Sequence, residues 1–351
     1  MERYDKGMPF LLKYENVAWY QDGEVRILDR RIYPREISFV TCKSYKDVVR
    51  AIKDMVTQSA GPYTALGMAM ALAAYESRNL GKKERISFLE KAEEELKNSR
   101  PTTKNRYEKI TQRALDLGRK AIEEDMDPVK AIMDDNIRSI NRRYKTMRKV
   151  GDYLLDLIPD NGSILTQCYG ETIIGALVSL SKENNKKFKV YCAETRPYFQ
   201  GARLTATCFA EEGFDTTILT DNMIAYAFEN KLIDIFTSAA DSITEDGSVV
   251  NKVGTLQIAQ LAKLYGVKYF VTGIPDKGVK TLDDVKIEMK DPKEVLKANG
   301  IFHASPKAKA IYPSFDKTPS SLVTRIVTDR GVFKADELDK YFDKACDIDF
   351  Y

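Results

Sequence analysis

The order of apolar and polar positions divides the chain at about residue 145. Residues 11–33 alternate as paired strands do, and the turn Gln21-Asp22-Gly23 between two apolar runs predicts a small β-hairpin. From about residue 44 to 157 the apolar positions recur at helical spacing, and residues 61–77 are apolar on nearly all sides, as in a buried helix. Asp127 and Pro128 suit an N-cap and a first helical position, so the last helix is expected to begin there and cross the boundary.

The second part of the chain alternates short β-rich runs with helical stretches. The runs lie at 163–168, 187–194, 216–221, 233–241 and 268–273. This alternation predicts a parallel sheet with helices on both faces and right-handed connections. We therefore expect an α/β protein: a small N-terminal β-hairpin plus helical domain over residues 1–145, followed by a Rossmann-like parallel-sheet domain over residues 146–351.

The composition is typical of a globular protein. Of 351 residues, 43% are hydrophobic and 30% are charged, and the net charge is +3. No basic stripe with interleaved aromatic residues is present, so no nucleic-acid partner is expected. No apolar run approaches the roughly 20 residues that span a bilayer, and the N-terminus lacks a signal-peptide pattern. The five cysteines are scattered without CxxC spacing, which predicts free thiols and a cytoplasmic protein with no membrane association.

His303 is the only histidine in the chain. A multi-histidine metal site is therefore excluded, and a Ser-His-Asp triad would have to use this residue. Acid–base chemistry must fall mainly to Asp, Glu, Cys, Lys or Tyr side chains.

Polar residues follow the predicted strands at the edge where ligands of parallel sheets bind. The segment after the second strand holds Glu194, Arg196, Gln200 and Arg203. Guanidinium and amide groups near a helix N-terminus suit an anionic oxygen ligand. Surface ion pairs with a helix cap explain the same pattern equally well.

Two further strand ends carry candidate chemistry. Asp241 follows the fourth strand, where partial burial raises a carboxyl pKa toward the acid–base range, although an Asp that caps a turn fits too. Asn251 and Lys252 are expected to open the next helix, where the helix dipole disfavours a lysine and so slightly favours a role in binding phosphate.

Cys168 ends the first strand of the second domain, close to the start of a predicted helix. That position favours the thiolate, whereas a plain buried cysteine is the alternative. Cys192 and Cys208 fall within a strand pattern and a helix pattern, so both are expected in the core.

Several ordered segments together resemble one known family, the methylthioribose-1-phosphate isomerases. Its relatives are the ribose-1,5-bisphosphate isomerases and the regulatory subunits of the exchange factor for eukaryotic initiation factor two. The segments are VAWYQDGEVRILDRRIYP, SRPTTKN (Arg100–Asn105 with the preceding Ser), ILTQC, AETRPYFQGARLT, LTDNM, AADSITEDGSVVNKVGT and YPSFDKTPSSLVTRIVTDRGVF. The last of these, with IEMKDPKEV before it, is nearer to the sugar-phosphate isomerase branch.

The resemblance implies an aldose–ketose isomerase that opens a furanose 1-phosphate and moves hydrogen from C2 to C1. The first candidate substrate is S-methyl-5-thioribose 1-phosphate, and no metal or cofactor is implied. Asp241 would be the acid or proton shuttle and Cys168 its partner in hydrogen transfer. The substrate-binding residues would be Arg100, Gln200, Asn251 and Lys252. A homodimer is also implied.

The chain departs from the family pattern around this site. The stretch 57–65 lacks the family's arginine, Tyr169 and Glu171 replace small residues after Cys168, and Ser242 replaces an arginine. Two alternatives therefore stay open. One is another pentose phosphate, such as 5-deoxyribose 1-phosphate or ribose 1,5-bisphosphate, and the other is a non-catalytic protein that senses a sugar phosphate or nucleotide. Dinucleotide binding has little support because no G-x-G-x-x-G follows the first strand.

Overall fold

The computed structural model describes residues 3–100, 104–305 and 307–343. Residues 101–103 of the SRPTTKN segment and Cys346 lie outside the described residues. The chain forms two compact units, of which the first ends at Lys145 and the second begins at Thr146.

The first unit contains a small antiparallel sheet and a set of helices. Its strands are β1 (Ala18–Gln21), β2 (Glu24–Leu28) and β3 (Phe39–Cys42), in the order β1-β2-β3. Its helices are α1 (Tyr14–Val17), α2 (Tyr45–Lys53), α3 (Gly61–Glu76), α4 (Lys82–Lys97), α5 (Lys104–Glu123) and the start of α6 (Pro128–Leu157).

The predicted hairpin is confirmed. Gln21 pairs with Glu24, and the two residues between them have φ angles of 50° and 84°, which a tight hairpin turn requires. Two local predictions are wrong. Tyr14 and Val17 are buried at helical spacing, so the start of the strand-like stretch is helix α1, and β3 extends the hairpin to three strands.

The helical predictions follow from burial and capping. In α3 every residue from Gly61 to Ala74 except Tyr63 is buried, as its apolar sequence predicts. The Asp127 carboxylate accepts a hydrogen bond from the backbone N–H of Val129 over 2.9 Å, which caps α6. Helix α6 is continuous across the boundary between the two units.

The second unit is built on three sheets. Its strands are β4 (Ser163–Gln167), β5 (Lys189–Ala193), β6 (Thr216–Leu219), β7 (Ile235–Ala239), β8 (Ser242–Ile243), β9 (Val249–Lys252), β10 (Lys268–Thr272), β11 (Lys297–Ala298), β12 (Ile301–Phe302), β13 (Phe315–Thr318), β14 (Arg325–Thr328) and β15 (Gly331–Phe333). Its helices after α6 are α7 (Glu171–Glu183), α8 (Thr207–Glu211), α9 (Ile224–Glu229), α10 (Thr255–Tyr265) and α11 (Asp339–Asp343).

The main sheet has seven strands in the order β15-β14-β10-β7-β4-β5-β6. All neighbouring pairs are parallel except β14 and β15. Buried apolar residues such as Leu165, Phe236 and Val271 fill its strands, as expected for a sheet covered on both faces. This arrangement confirms the predicted fold class, while β14 and β15 are strands that the β-rich runs did not predict.

The strand order reverses between β4 and β7. From β4 the chain continues outward through β5 and β6, and it then returns to place β7 on the other side of β4. In open parallel sheets, ligands bind at such a switch point, beyond the carboxyl ends of the strands. The fold therefore directs attention to the residues that follow β4 and β7.

A small antiparallel sheet, β13-β9-β8, lies in the same unit. It corrects one prediction, because Asn251 and Lys252 end strand β9 and α10 begins only at Thr255. Asp316 on β13 pairs with Asn251, and Phe315 pairs with Lys252.

No helix among the described residues is long and apolar enough to cross a membrane. The four described cysteines, Cys42, Cys168, Cys192 and Cys208, are free thiols. Cys192 and Cys208 are buried, as their patterns predicted.

Candidate active site

Cys168 and Asp241 follow the two strands at the switch point. Cys168 comes directly after β4, and Asp241 comes two residues after the end of β7. Because β4 and β7 are neighbouring parallel strands, their carboxyl ends meet at the same edge of the sheet. The two residues proposed as the catalytic pair are thus brought to one place by the topology.

The loop after β5 is fixed to the end of β4. The backbone N–H of Cys168 donates to the hydroxyl of Thr195 over 2.9 Å, and the hydroxyl of Thr205 donates to the Cys168 carbonyl. Asp221 holds the same loop from β6, because its carboxylate accepts from the N–H groups of Thr195 and Arg196 over 2.9 and 2.7 Å. These bonds join the ends of β4, β5 and β6.

The arginines of this loop have another role than the sequence suggested. Arg196 donates to the carbonyls of Pro197 and Val295 over 3.1 and 2.9 Å, and Arg203 donates twice to the carbonyl of Tyr198. Both guanidinium groups therefore hold the backbone of the segments around the site. The interpretation of Arg196 and Arg203 as ligands of an anion is corrected accordingly.

Gln200 and Glu194 differ in surroundings. Gln200 is 4% exposed, and within the part of the chain that the structure describes its Oε1 atom has no hydrogen-bond partner. A buried amide oxygen without a partner is destabilising unless a ligand or water satisfies it. Burial raises the pKa of Glu194, and the nearby Asp221 carboxylate raises it further.

Burial raises the pKa of the Cys168 thiol to about 11. The Lys252 ammonium lowers this pKa and the Asp241 carboxylate raises it, so both side chains lie within electrostatic reach of the Cys168 thiol. With this pKa the thiol form prevails in the free protein at neutral pH, which agrees with the plain buried cysteine and not with the thiolate alternative. The position of Cys168 before α7 does not compensate for the loss of hydration.

Asp241 is exposed, which corrects the expectation of a partly desolvated carboxylate in the free protein. Its backbone is nevertheless fixed, because its N–H donates to the carbonyl of Val250 over 2.9 Å. Ser242, the next residue, donates from its hydroxyl to Asp276 over 2.7 Å. The residue that replaces the family's arginine thus anchors the loop after β10.

Asn251 and Lys252 are both buried, at 5% and 8% exposure. The amide of Asn251 donates to the hydroxyl of Thr255 over 3.1 Å. The Lys252 ammonium lies 5.0 Å from the centroid of the Phe315 ring and 5.8 Å from that of Tyr312. Aromatic faces attract a cation, so these rings help to hold the Lys252 side chain in place.

Gln167, the residue before Cys168, connects the cysteine to the Asn251–Lys252 pair. Its Nε2 donates to the carbonyl of Val253 over 2.9 Å, and its Oε1 lies 2.7 Å from the hydroxyl of Thr255. Gln167 therefore joins the end of β4 to the end of β9.

The remaining predicted residues are placed as follows. Arg100 is half-buried in the first unit, shortly after the end of α4. Tyr169 and Glu171 are 4% and 2% exposed, so both are packed into the second unit.

Sequence reasoning assigned no role to three residues that shape the site: Gln167, Thr195 and Asp316. The strand-end rule itself indicates a fourth, Asp221, which comes two residues after β6. The other three act through tertiary hydrogen bonds that no local pattern announces.

This arrangement can support acid–base chemistry on an anionic polyol. It offers a neutral thiol, a solvent-accessible carboxylate, a buried ammonium and a buried amide oxygen. Among the described residues no group of three or more His, Cys, Asp or Glu side chains is arranged to hold a metal ion.

Comparison with known proteins places this chain in a family. The profile of the Initiation factor 2 subunit family matches residues 58–335. The methylthioribose-1-phosphate isomerase of Carboxydothermus hydrogenoformans is 33% identical to this chain, over 91% of this chain and 96% of that protein.

Two solved structures share the fold over nearly their whole length. The crystal structure of 5-methylthioribose 1-phosphate isomerase from Pyrococcus horikoshii matches with a TM-score of 0.82 and 29% identity, covering 94% of this chain and 96% of that one. The delta subunit of the translation initiation factor eIF-2B from A. fulgidus matches with a TM-score of 0.78 and 28% identity, covering 90% of this chain and 95% of that one. Since the matched profile spans most of the sequence, this chain belongs to the Initiation factor 2 subunit family, as its motifs predicted.

Proposed function

We propose that this protein is an aldose–ketose isomerase that converts S-methyl-5-thioribose 1-phosphate to the corresponding ribulose 1-phosphate. The observation that carries the proposal is the convergence of Cys168, Asp241 and Lys252 at the switch point of the main sheet. The isomerase relatives support the reaction, and the buried ammonium of Lys252 supports a phosphorylated substrate.

The reaction starts with opening of the furanose ring. Asp241, as an acid, protonates the ring oxygen, and the bond between that oxygen and C1 breaks. Asp241 is exposed in the free protein, but a bound sugar phosphate covers it and brings negative charge close to it. Both effects favour the protonated carboxyl, which is the form that an acid catalyst needs.

The second stage moves hydrogen between two carbons. Ring opening leaves C1 electron-poor, hydrogen moves from C2 to C1, and the C2 hydroxyl gives up its proton as the ketone forms. If Asp241 takes that proton, it regains the one it gave to the ring oxygen, and no net proton is exchanged. Cys168 is assigned to the transfer, and its raised pKa makes it a thiol that donates a hydrogen bond rather than a thiolate nucleophile.

The remaining residues bind the substrate. Lys252 supplies positive charge for the phosphate, and Asn251 and Gln200 supply amide groups for sugar oxygens. The unsatisfied Oε1 of Gln200 supports this role, since a sugar hydroxyl can donate to it. We further propose that the protein is a cytoplasmic homodimer that needs no metal or cofactor and binds no nucleic acid.

Turnover of S-methyl-5-thioribose 1-phosphate by the purified chain, followed by proton NMR, tests the proposal. Ketose should form with the wild-type protein and should fall at least about a hundredfold in Cys168→Ser and Asp241→Asn. Asp215→Asn is the matched control, because the Asp215 side chain is 66% exposed and precedes β6 at the opposite edge of the sheet. Undiminished turnover in Asp241→Asn would contradict the assigned acid.

Two other functions are candidates: isomerisation of a related pentose phosphate, and non-catalytic sensing of a sugar phosphate or nucleotide. The eIF-2B subunit shows that the fold also occurs in a translation factor, and the 57–65 and 167–172 loops of this chain depart from the isomerase pattern. Turnover of 5-deoxyribose 1-phosphate or ribose 1,5-bisphosphate in place of the methylthio sugar would identify another isomerase. Thermal stabilisation by these compounds or by a nucleotide, without turnover of any, would identify a sensor.

A further inference from the structure

Asp316 lies on β13, the strand that pairs with β9 and its residues Asn251 and Lys252. It takes no part in the chemistry proposed above. Its Oδ2 accepts from the backbone N–H of Gly254 over 2.6 Å, and its Oδ1 accepts from the N–H of Leu256 over 3.1 Å. Residues 251–255 run from the end of β9 to the start of α10 and are called here the 251–255 turn; Gly254 lies within it, and Leu256 directly follows it. One carboxylate therefore holds the exit of this turn with both of its oxygens.

The same turn carries the residues assigned to the substrate. Asn251 is the β-sheet partner of Asp316, and Lys252 is the partner of Phe315, whose ring lies under the Lys252 ammonium. From the other side Gln167 bonds to Val253 and Thr255. The 251–255 turn is thus held between the end of β4 and strand β13.

We propose that Asp316 is a positioning residue for this reaction: its carboxylate holds the 251–255 turn with Asn251 and Lys252 in the substrate-binding position, and its protonation releases that turn. The inference rests on the proposed function, because it takes Asn251 and Lys252 to be substrate-binding residues. A carboxylate accepts at both oxygens, whereas a protonated carboxyl presents an O–H at one of them. Protonation therefore removes the partner of either the Gly254 or the Leu256 N–H.

The carboxyl group of Asp316 gains or loses its proton in the pH range over which the release of the turn is to be tested. Burial raises its pKa to about 6, although the two backbone N–H groups and the Lys252 ammonium act in the opposite direction. Tyr269, on strand β10 of the main sheet, is a further titratable group in electrostatic contact with Asp316, and burial raises the pKa of its phenol so that it stays neutral. Lys317 of β13 instead donates to the carbonyl of Leu282.

If Asp316 acted on the substrate only through its charge, the pH dependence of binding would run in the opposite direction. Substrate phosphate brings negative charge toward Asp316, and by itself this favours binding to the protonated form. The positioning role requires the reverse, with tighter binding when Asp316 is ionised. The direction of the pH dependence therefore separates the two.

The test compares kcat/KM for S-methyl-5-thioribose 1-phosphate in the wild type and in Asp316→Asn from about pH 5 to about pH 8. Asparagine keeps the size of the side chain but has one acceptor oxygen, so it mimics the protonated form. The ratio of the wild-type kcat/KM to that of the variant should be about ten near pH 8, mostly through a change in KM. It should approach one near pH 5. The second ionisation of the substrate phosphate, near pH 6, cancels in this ratio.

A ratio that stays constant with pH, or that grows on acidification, would overturn the proposal. The matched control is Asp127→Asn, which removes a similar helix-capping carboxylate in the first unit. The ratio of the wild-type kcat/KM to that of this control should stay near one at every pH. If the control instead lost the same fraction of activity at every pH, that fraction would measure the effect of a lost helix cap on stability.

Amide hydrogen exchange of the wild-type chain gives an answer that needs neither substrate nor variant. Protection of the Gly254 and Leu256 amides, corrected for intrinsic rates, should fall severalfold as the pH drops below about 6. Protection independent of pH would contradict the release of the turn. If no sugar phosphate is turned over, the proposed function fails, and this experiment still decides whether Asp316 controls the turn.

Discussion

Cys168 and Thr195 are joined by a hydrogen bond of 2.9 Å, and both adopt left-handed backbone conformations, with φ angles of 60° and 63°. The Thr195 hydroxyl accepts from the Cys168 N–H and donates to the carbonyl of Ala193 over 3.0 Å. A β-branched residue in this conformation is strained and persists only where its surroundings determine it. The strained residue is thus Thr195, whose hydroxyl holds the backbone of the cysteine to which we assign hydrogen transfer.

Replacement of Thr195 by Val should disrupt this arrangement. The variant keeps the shape of the side chain but loses both hydrogen bonds, which leaves the N–H of Cys168 without its partner. We expect the free energy of unfolding to fall by about 1–3 kcal/mol and turnover to fall about tenfold or more, because Cys168 is no longer held in place. Urea denaturation and proton NMR turnover measure the two effects.

Thr195→Ser is the matched control. It retains the hydroxyl and removes the branch that makes the left-handed conformation costly, so it should keep stability and turnover close to those of the wild type. A loss in the Ser variant, with none in the Val variant, would show that the methyl group, and not the hydrogen bonds, maintains the site.

Gly201 marks a second close approach at the end of β5. A Cβ atom at this position would lie 1.7 Å from the carbonyl oxygen of Ala193 and 2.9 Å from the Thr195 hydroxyl. Gly201→Ala should therefore displace the loop that holds Cys168 and lower turnover more than about tenfold.

Gly81→Ala provides the comparison. There the nearest atom to an added Cβ is a carboxylate oxygen of Glu84 at 3.5 Å, an ordinary contact. This variant should keep its activity. If Gly201→Ala were as active as Gly81→Ala, the backbone near Ala193 would have to be more adaptable than the structure indicates.

The parallel strands could be predicted because burial on both faces makes them continuous apolar runs. Once β4 and β7 were located, the rule on strand ends indicated Cys168 and Asp241 without any knowledge of side-chain contacts. Strand β9 was mistaken for the start of a helix because its partner β13 lies more than sixty residues later in the chain, as the pairing of Asn251 with Asp316 shows. Local propensity carries no information about such pairing.

Charge states and hydrogen-bond partners were the least predictable features of the site. Arg196 and Arg203 have the residue type of anion ligands, yet the carbonyls that they meet are set by loop geometry. The thiolate alternative for Cys168 followed from its place before a helix, but burial outweighs that effect. Sequence specifies which groups are present, while their hydration depends on the complete fold.

The raised pKa of Asp316 predicts a pH-dependent difference in stability. Because this pKa rises from 3.8 to about 6 on folding, the folded state binds more protons than the unfolded state between these values. The stabilisation is present below the lower pKa and is lost as the pH rises through the higher one.

The free energy of unfolding of the wild type, measured relative to that of Asp316→Asn, should therefore fall by about 1–2 kcal/mol between about pH 4 and pH 6.5, after allowance for partial exposure. Urea denaturation of both proteins across this range measures it. A difference that does not change with pH would mean that Asp316 titrates normally.

Alkylation of Cys168 tests the cluster directly. Iodoacetamide reacts with the thiolate, so the pKa of about 11 predicts slow labelling at neutral pH and a steep rise in alkaline solution. Asp241→Asn removes a charge that raises this pKa and should speed labelling at a fixed pH by about threefold, whereas Lys252→Met should slow it by a similar factor. Mass spectrometry of the Cys168 peptide gives both rates, with Asp215→Asn as the control that should change neither. If Asp241→Asn and Lys252→Met changed the labelling rate in the same direction, the two opposite charges would not both act on Cys168. The proposal that Cys168, Asp241 and Lys252 form one active site would then be wrong.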